Sequence, residues 1–423
     1  MKAYPEYKSS GIDWLDEIPS HWNTIPLKYT VDNPDTDFID GDWIESPFIT
    51  DSGVRYLTSG NVGVGVYKEQ GQGFISNNTF DDLNCIEVKP GDLLISRLNE
   101  PIARTCEVPD LGYRIVTCVD NVIYRPKNNV FNKHYMMYQL NSHDFWFNAS
   151  GLSSGATMKR ISRSKLGNIR IVVPPLIEQD AIAAYLDDMT SKVDALIAEK
   201  QKQVEDLRSY RISLITETVT RGLNPNAPFR PSGIDWLGDI PEHWISTKAK
   251  YYIEIKSGDP ISKYDINSKG SVPIFGGGEI IGFTTESNIP AQTIIIGRVG
   301  ARCGCVRLTD IVAWATDNAL VVFTSQNPRF LTRIFEAANL NRLNESNAQP
   351  LITATKIKDL GIPLPPLVEQ QAIAEFLDEK TEKIDVLISE LEKQLEELAE
   401  YKKAVISEAV TGKVDVRDWK PQN

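Results

Sequence analysis

The 423-residue chain contains no apolar run of 18 or more residues, and its opening MKAYPEYKSSG lacks a basic stretch followed by an apolar one. Neither a membrane-spanning helix nor a secretion signal is therefore expected, and the default location is the cytoplasm. Cysteine is scarce and odd in number, five in all, so the thiols read as ordinary thiols and not as a disulfide framework. Cys303 and Cys305 form a CGC with no second pair. The four histidines, His21, His134, His143 and His243, show neither HExxH nor any other paired-ligand spacing, so no metal site is expected. The lysine-bearing GxxxxGK[ST] loop is absent; Gly276, Gly277 and Gly278 lead into Glu279, which cannot cradle a phosphate as lysine does. No acidic pair stands out for metal-dependent cleavage, and no NPPY-like loop suggests methyl transfer. A large chain with none of these signatures is expected to be a reader and not an enzyme, with no catalytic residue, cofactor or metal of its own.

An excess of positive charge is also missing: the net charge is -12. The acid is concentrated, however. Residues 367 to 409 hold 12 acidic and 5 basic side chains, whereas residues 245 to 363 hold 10 acidic and 13 basic ones. Residues 28 to 172 are close to balance, with 17 acidic and 15 basic, so any positive surface there must come from local arrangement.

What the chain does have is repetition. GIDWLDEIPSHW at Gly11–Trp22 returns as GIDWLGDIPEHW at Gly233–Trp244, with 9 of 12 residues identical. PPLIEQDAIAAYLDD at Pro174–Asp188 returns as PPLVEQQAIAEFLDE at Pro365–Glu379. The first motif recurs after 222 residues and the second after 191, so the first half carries 31 more residues between its motifs. Two homologous halves imply pseudo-twofold symmetry, with a shared frame holding two divergent inserts.

After each PPL motif the apolar period becomes 3.5, the signature of a coiled-coil seam. On the first helix it is read through Ile182, Leu186, Met189, Val193, Leu196, Lys200, Gln203, Leu207, Tyr210 and Leu214. On the second it is read through Ile373, Leu377, Lys380, Ile384, Leu387, Leu391, Gln394, Leu398, Tyr401 and Val405. Roughly 43 residues at about 1.5 Å each make a rod of about 65 Å. Prolines 174, 175, 365 and 366 precede the helices, and Gly222 and Gly412 stop them. The polar Lys200, Gln203 and Gln394 either set register or are tolerated at a wet edge. Connectivity makes the helices antiparallel with the inserts at opposite ends, the N-terminal segment completing what the C-terminal helix would otherwise feed.

Both inserts read as short β-branched runs separated by glycine and asparagine turns, VRYLTSGNVGVGVY, DLLISRL and NVIYRP in the first and SVPIFGGGEIIGFT, TIIIGRVG and ALVVF in the second. Helices are expected at residues 133 to 146 and near 328 to 338. Ile95-Ser-Arg97 is paired with Ile296-Gly-Arg298, and Asp120-Asn121 with Asp317-Asn318. The fold class expected is α/β of the α+β type: two mixed domains joined by two long antiparallel coiled-coil helices. Boundaries are set at 1–172, 173–221, 222–363 and 364–423. Candidate contacts to a polar polymer are Arg97, Asn99, Arg104, Lys159, Arg160, Arg163 and Lys165 in the first insert, with Arg298, Arg302, Asn341, Arg342 and Lys356 in the second. Arginine pairs with guanine edges, asparagine with adenine, and lysine with phosphate.

Taken together, the paired GIDWL and PPL segments alternating with variable blocks resemble the specificity subunit of type I restriction-modification enzymes over nearly the whole chain. That resemblance implies that each variable block is a target recognition domain reading one half of a bipartite double-stranded DNA sequence, with the helices as a ruler for the gap. It implies two adenine-methyltransferase subunits bringing S-adenosylmethionine, and motor-nuclease subunits bringing ATP and magnesium, with no membrane. The alternatives are a non-DNA structural scaffold with two binding modules, and a subunit serving methylation alone.

Overall fold

In a computed structural model of the chain every residue is described except 1, 72, 156, 263–265, 267–269, 345–350 and 421–423, and of Ala301 only the backbone. The chain divides into two compact units, one made of residues 1–199 and 394–423 and the other of residues 200–393. Two long helices, Leu176–Arg221 and Leu367–Val410, each contribute one half to each unit. Both follow a Pro-Pro pair and both end at a glycine in the left-handed region, Gly222 and Gly412, each with φ of 76°. At Gly412 a β-carbon would lie 2.4 Å from the Pro19 ring and 2.9 Å from Trp22, so both conformation and space require glycine there.

In the first unit, β1 (Asn23–Pro26), β2 (Phe38–Asp40), β3 (Leu93–Ser96), β4 (Thr105–Glu107), β5 (Asn121–Tyr124) and β6 (Arg170–Val173) form the frame. Strands β2, β5, β3 and β4 make one antiparallel sheet in the order β2-β5-β3-β4, and β6 pairs with β1. Helices α1 (Lys133–Leu140), α2 (His143–Gly151) and α3 (Arg163–Asn168) complete it. The single helix expected over 133–146 is two, because Ser142 turns out of the helix and caps the next by accepting from the Phe145 N–H. Trp22, Tyr124, Tyr135, Phe145, Ile182, Leu186, Val405 and Ala409 meet in its core. The terminal segments close together here: Asp415 N–H donates to the Lys2 carbonyl at 2.9 Å, and the Tyr7 hydroxyl donates to the Gly412 carbonyl at 3.0 Å.

The second unit repeats the frame with β7 (Ile245–Lys248), β8 (Ile253–Ser257), β9 (Ile294–Gly297), β10 (Val306–Leu308), β11 (Ala319–Thr324) and β12 (Gly361–Leu364). The sheet order is β8-β11-β9-β10, with β12 on β7, the same pattern as in the first unit. Helices α4 (Pro328–Ala337) and α5 (Ala354–Lys358) take the places of α1 and α3. The backbone ladder corrects one pairing. Arg97 N–H donates to the Asp120 carbonyl and Arg298 N–H to that of Asn318, so Asp120 corresponds to Asn318 and not to Asp317. Cys118 N–H bonds to Leu57 and Thr316 N–H to Phe275, so those positions correspond as well. Leu57 and Leu93 are 36 residues apart, Phe275 and Ile294 only 19, and this stretch therefore holds 17 of the 31 extra residues. The VGVGVY run expected as strand makes only an isolated bridge, Val62 to Tyr67, after a 3-10 turn at Ser59–Asn61.

Within each unit the two long helices run antiparallel. In the first unit Lys402 pairs with Asp194 at 2.6 Å; in the second Arg211 pairs with Asp385 at 2.9 Å and Arg208 with Glu392 at 2.6 Å. The seam needs a correction at every second position. Leu196 and Leu387 are 46% and 48% exposed, Tyr210 and Tyr401 are exposed too, and so are Gln203, Gln394 and Lys380. The buried and half-buried stripe passes instead through Leu186, Thr190, Val193, Ile197, Lys200, Val204, Leu207, Arg211, Leu214 and Thr218 on the first helix. On the second it passes through Leu377, Thr381, Ile384, Ile388, Leu391, Leu395, Leu398, Lys402, Val405 and Ala409. Ile182 and Ile373 lie fully buried at the helix starts, and Met189 is half-buried beside the first core. Arg211 and Lys402 occupy equivalent seam positions and each reaches an aspartate at the seam's edge, which fixes register in both units by the same ion pair.

Candidate nucleic-acid interface

The repeated PPL(I/V)EQ letters each have a job. Gln179 accepts from the Asn132 N–H at 2.9 Å and donates to the Pro174 carbonyl at 2.9 Å; Gln370 does the same with Asn327 at 3.1 Å and Pro365 at 2.9 Å. Asn132 and Asn327 cap α1 and α4, so each glutamine ties an insert to its helix. The preceding glutamate receives the histidine of the GIDWL motif, His21 on Glu178 at 2.7 Å and His243 on Glu369 at 2.9 Å. The repeated motifs therefore build the frame that holds each insert.

Of the candidate contacts in the first insert, Arg97 and Arg104 bond extensively within the chain. Arg97 is 4% exposed, with its guanidinium 2.9 Å from Asp40 and donating to the Ile161 carbonyl at 3.1 Å and to that of Val119. Burial is the largest influence on this guanidinium and lowers its pKa, with Asp40 opposing. Arg104 donates to the carbonyls of Ser59 at 2.7 Å, Val62 at 2.8 Å, Leu98 at 2.9 Å and Asn99 at 3.0 Å, so its fork staples a loop. That loop presents Asn99, which is exposed and held at φ 60°.

Around it lies an exposed band of paired charges. Lys159 is 3.0 Å from Glu100, which also accepts from Ser150 at 2.6 Å; the Ser150 bond is the first cause of a lowered Glu100 pKa. Arg160 is 2.9 Å from Asp120 and Arg163 is 3.5 Å from Asp40. Lys165 donates to the Leu152 carbonyl at 3.0 Å. Asp40 and Asp120, the counter-charges of this band, carry no local sequence signal, because only the tertiary fold brings them to the arginines.

In the second insert Arg298 is half-buried and makes no ion pair among the described residues, while Arg302 pairs with Glu279. Asn341 and Arg342 are exposed, the Arg342 guanidinium lying 5.6 Å from the Trp236 ring centroid. Lys356 is half-buried on α5, at the place Lys165 holds on α3. A cleft of about 980 Å³ in the second unit brings Arg211, Arg329 and Arg333 together, but each of these faces an acid that also lines it, Asp385 or Asp378. Among the described residues no group of three or more His, Cys, Asp or Glu side chains could hold a metal ion, and no helix is long and apolar enough to cross a membrane.

Comparison with known proteins gives these two inserts a context. The chain is 26% identical over 339 residues to the type I restriction enzyme MjaVIII specificity subunit of Methanocaldococcus jannaschii, covering 73% of this chain and 76% of that one. Over a shorter stretch of 153 residues, 34% of this chain and 38% of the other, it is 31% identical to the EcoprrI specificity subunit of Escherichia coli. A solved chain from a study of assembly and conformational transition in the type I R-M system superposes with a TM-score of 0.70 at 15% identity, over 94% of this chain and 99% of that one, and so shares the fold. The family described as type I restriction modification DNA specificity domain matches twice, at residues 39–206 and 241–397, each match taking in one insert and the start of the helix that follows it. With both halves matched, the chain belongs to the family of type I restriction-modification DNA specificity subunits.

Proposed function

We propose that this chain reads a bipartite DNA sequence, one half with residues 1–172 and the other with residues 222–363, and that the two long helices set the unread gap between them. The observation that carries this reading is the duplication of one frame, β2-β5-β3-β4 in the first unit and β8-β11-β9-β10 in the second, under loops of unlike sequence. A repeated scaffold with divergent loops is how one fold serves two different recognition tasks. The subunit places two adenine-methyltransferase subunits on the target and, in a restricting complex, motor-nuclease subunits as well. S-adenosylmethionine, ATP and magnesium belong to those partners. The contacts proposed are Asn99, Lys159, Arg160, Arg163 and Lys165 in one insert, with Arg298, Arg302, Asn341, Arg342 and Lys356 in the other.

Reconstitution with the cognate methyltransferase subunits, followed by mapping of adenine methylation over random DNA with long reads, tests the reading. The expected result is a motif of two short specified halves separated by a fixed gap. A contiguous motif, or no methylation by a complex that forms and binds S-adenosylmethionine, overturns it.

Phosphate contact by the Lys159 and Arg160 band is tested separately. The double variant K159Q/R160Q is expected to weaken duplex binding by the assembled complex and to flatten the dependence of log K on log salt by about two units of slope. Glu100 and Asp120, their present partners, remain as acids on the same surface and add to the loss. Unchanged affinity through the salt series removes these two residues from the interface.

A further inference from the structure

The two inserts share a backbone frame closely enough to be compared residue by residue around Arg97 and Arg298. Ile161 N–H donates to the Arg97 carbonyl at 3.1 Å and Ile352 N–H to that of Arg298 at 2.9 Å. Gly41 N–H donates to the Asn121 carbonyl and Gly258 N–H to that of Ala319. Both glycines are obligatory for space: a β-carbon would come within 2.4 Å of the Thr117 carbonyl at Gly41 and within 2.3 Å of the Ala315 carbonyl at Gly258. Ser162 and Thr353 stand at the N-caps of α3 and α5.

These anchors fix what surrounds each arginine. In the first insert the neighbouring positions are Asp40, Asp120, Arg160 and Arg163, and they form a closed network. Arg97 and Arg163 share Asp40, and Arg160 takes Asp120. In the second insert the same four positions are Ser257, Asn318, Leu351 and Ala354. At these four positions the charges have gone, both acids and both competing bases, and Arg298 makes no ion pair among the described residues. Asp317, next to Asn318 in the chain, is exposed and makes no ion pair among the described residues.

A half-buried arginine whose five donors have no ion-pair partner among the described residues has its hydrogen-bonding capacity unspent within the chain. The acid that holds the equivalent Arg97, Asp40, is replaced by Ser257 in the second insert. An arginine kept while its partners are removed is poised for acceptors from outside the chain. In a DNA reader those acceptors are a guanine edge, O6 with N7, or the oxygens of a phosphate.

We propose that Arg298 is the arginine through which the second insert contacts its half of the DNA target, and that Arg97, at the equivalent position, is a positioning residue that holds the first insert's loops. The proposal rests on the reading that the second insert recognises DNA. It makes the two halves unlike in mechanism: one uses its arginine to build the surface, the other to touch the ligand.

The test uses the full chain reconstituted with its methyltransferase subunits, with R298Q and R298K compared with wild type by long-read methylation mapping and by duplex binding through a salt series. R298Q is expected to weaken binding to the specific duplex about tenfold or more, with thermal unfolding unchanged. If R298K restores affinity and leaves the motif as it was, the acceptor is phosphate; if R298K also relaxes one base pair in one half-site while the other half-site and gap stay fixed, the acceptor is a base edge. Either result supports the proposal. R298Q with wild-type affinity and motif overturns it, as does a loss of affinity that comes only with unfolding of the second unit in both variants. A separate chimera, with residues 245–363 replaced by the corresponding block of a relative, tests the underlying reading: a motif unchanged in both halves sinks that reading whatever Arg298 does.

Discussion

Replacing Glu178 by alanine lowers the stability of the first unit by about 3 kcal/mol, whereas the equivalent change at Glu369 costs the second unit about 1 kcal/mol or less. The positions correspond in the repeat, yet their surroundings differ. Glu178 is 8% exposed and receives three donors: the Tyr4 hydroxyl at 3.0 Å, the Trp22 indole N–H at 2.9 Å and the His21 ring at 2.7 Å. Burial, then Glu178 itself, pushes the Tyr4 hydroxyl pKa far upward, so tyrosine stays a donor at any ordinary pH. Alanine at 178 strands two buried donors, Tyr4 and Trp22, and takes the acceptor from the exposed His21 as well. Glu369 receives His243 at 2.9 Å in a more exposed setting, and the Trp244 indole finds no acceptor among the described residues. Hydrogen exchange followed by mass spectrometry resolves the two units, which a single melting temperature of a 423-residue chain does not. Equal loss of protection in both units would show that the cluster is not what pins the first.

The second large effect concerns length. Deleting residues 200–206 together with 391–397 removes one heptad from each helix and keeps both seams in phase. Val193, Ile197 and Leu207 then follow one another at seam positions, as do Ile384, Ile388 and Leu398. Each helix shortens by about 10 Å, since it rises about 1.5 Å per residue. At about 3.4 Å per base pair the expected outcome is a target whose two halves are unchanged and whose gap is about three base pairs shorter. Deleting four residues from each helix instead throws the seam out of phase and is expected to abolish assembly. A complex carrying the heptad deletion that still methylates the original motif with its original gap would falsify the ruler.

How far the letters go in predicting this structure depends on the kind of force involved. The helices and their ends are local: the 3.5 period, the Pro-Pro pairs and the glycines at 222 and 412 each act within a few residues. Their phase is not local. Leu196, Leu387, Tyr210 and Tyr401 are as apolar as the residues that are buried, and only the antiparallel partner decides that Ile197, Ile388, Arg211 and Lys402 face inward. The same holds for the arginines. Arg97 and Arg104 look like any other arginines in a string of letters; only the fold shows that Arg97 is buried and that both spend donors on the carbonyls of Ser59, Val62 and Ile161. The matching Asp-Asn pairs at 120 and 317 misled by one residue because identity of letters outweighed the ladder, which the sequence does not display.

The division of the chain into a continuous unit and a discontinuous one has a consequence for its biosynthesis. Residues 200–393 can complete their unit as soon as they are made, but residues 1–199 wait for residues 394–423. Until Val405, Ala409 and Val410 arrive, Trp22, Ile182 and Leu186 lack part of the core they share with them. At about 5 to 20 residues per second, the intervening stretch takes roughly 10 to 40 s to synthesise. For that interval the nascent protein carries an open apolar seam, and a messenger truncated just after residue 393 would yield a chain whose second unit is whole and whose first can never close.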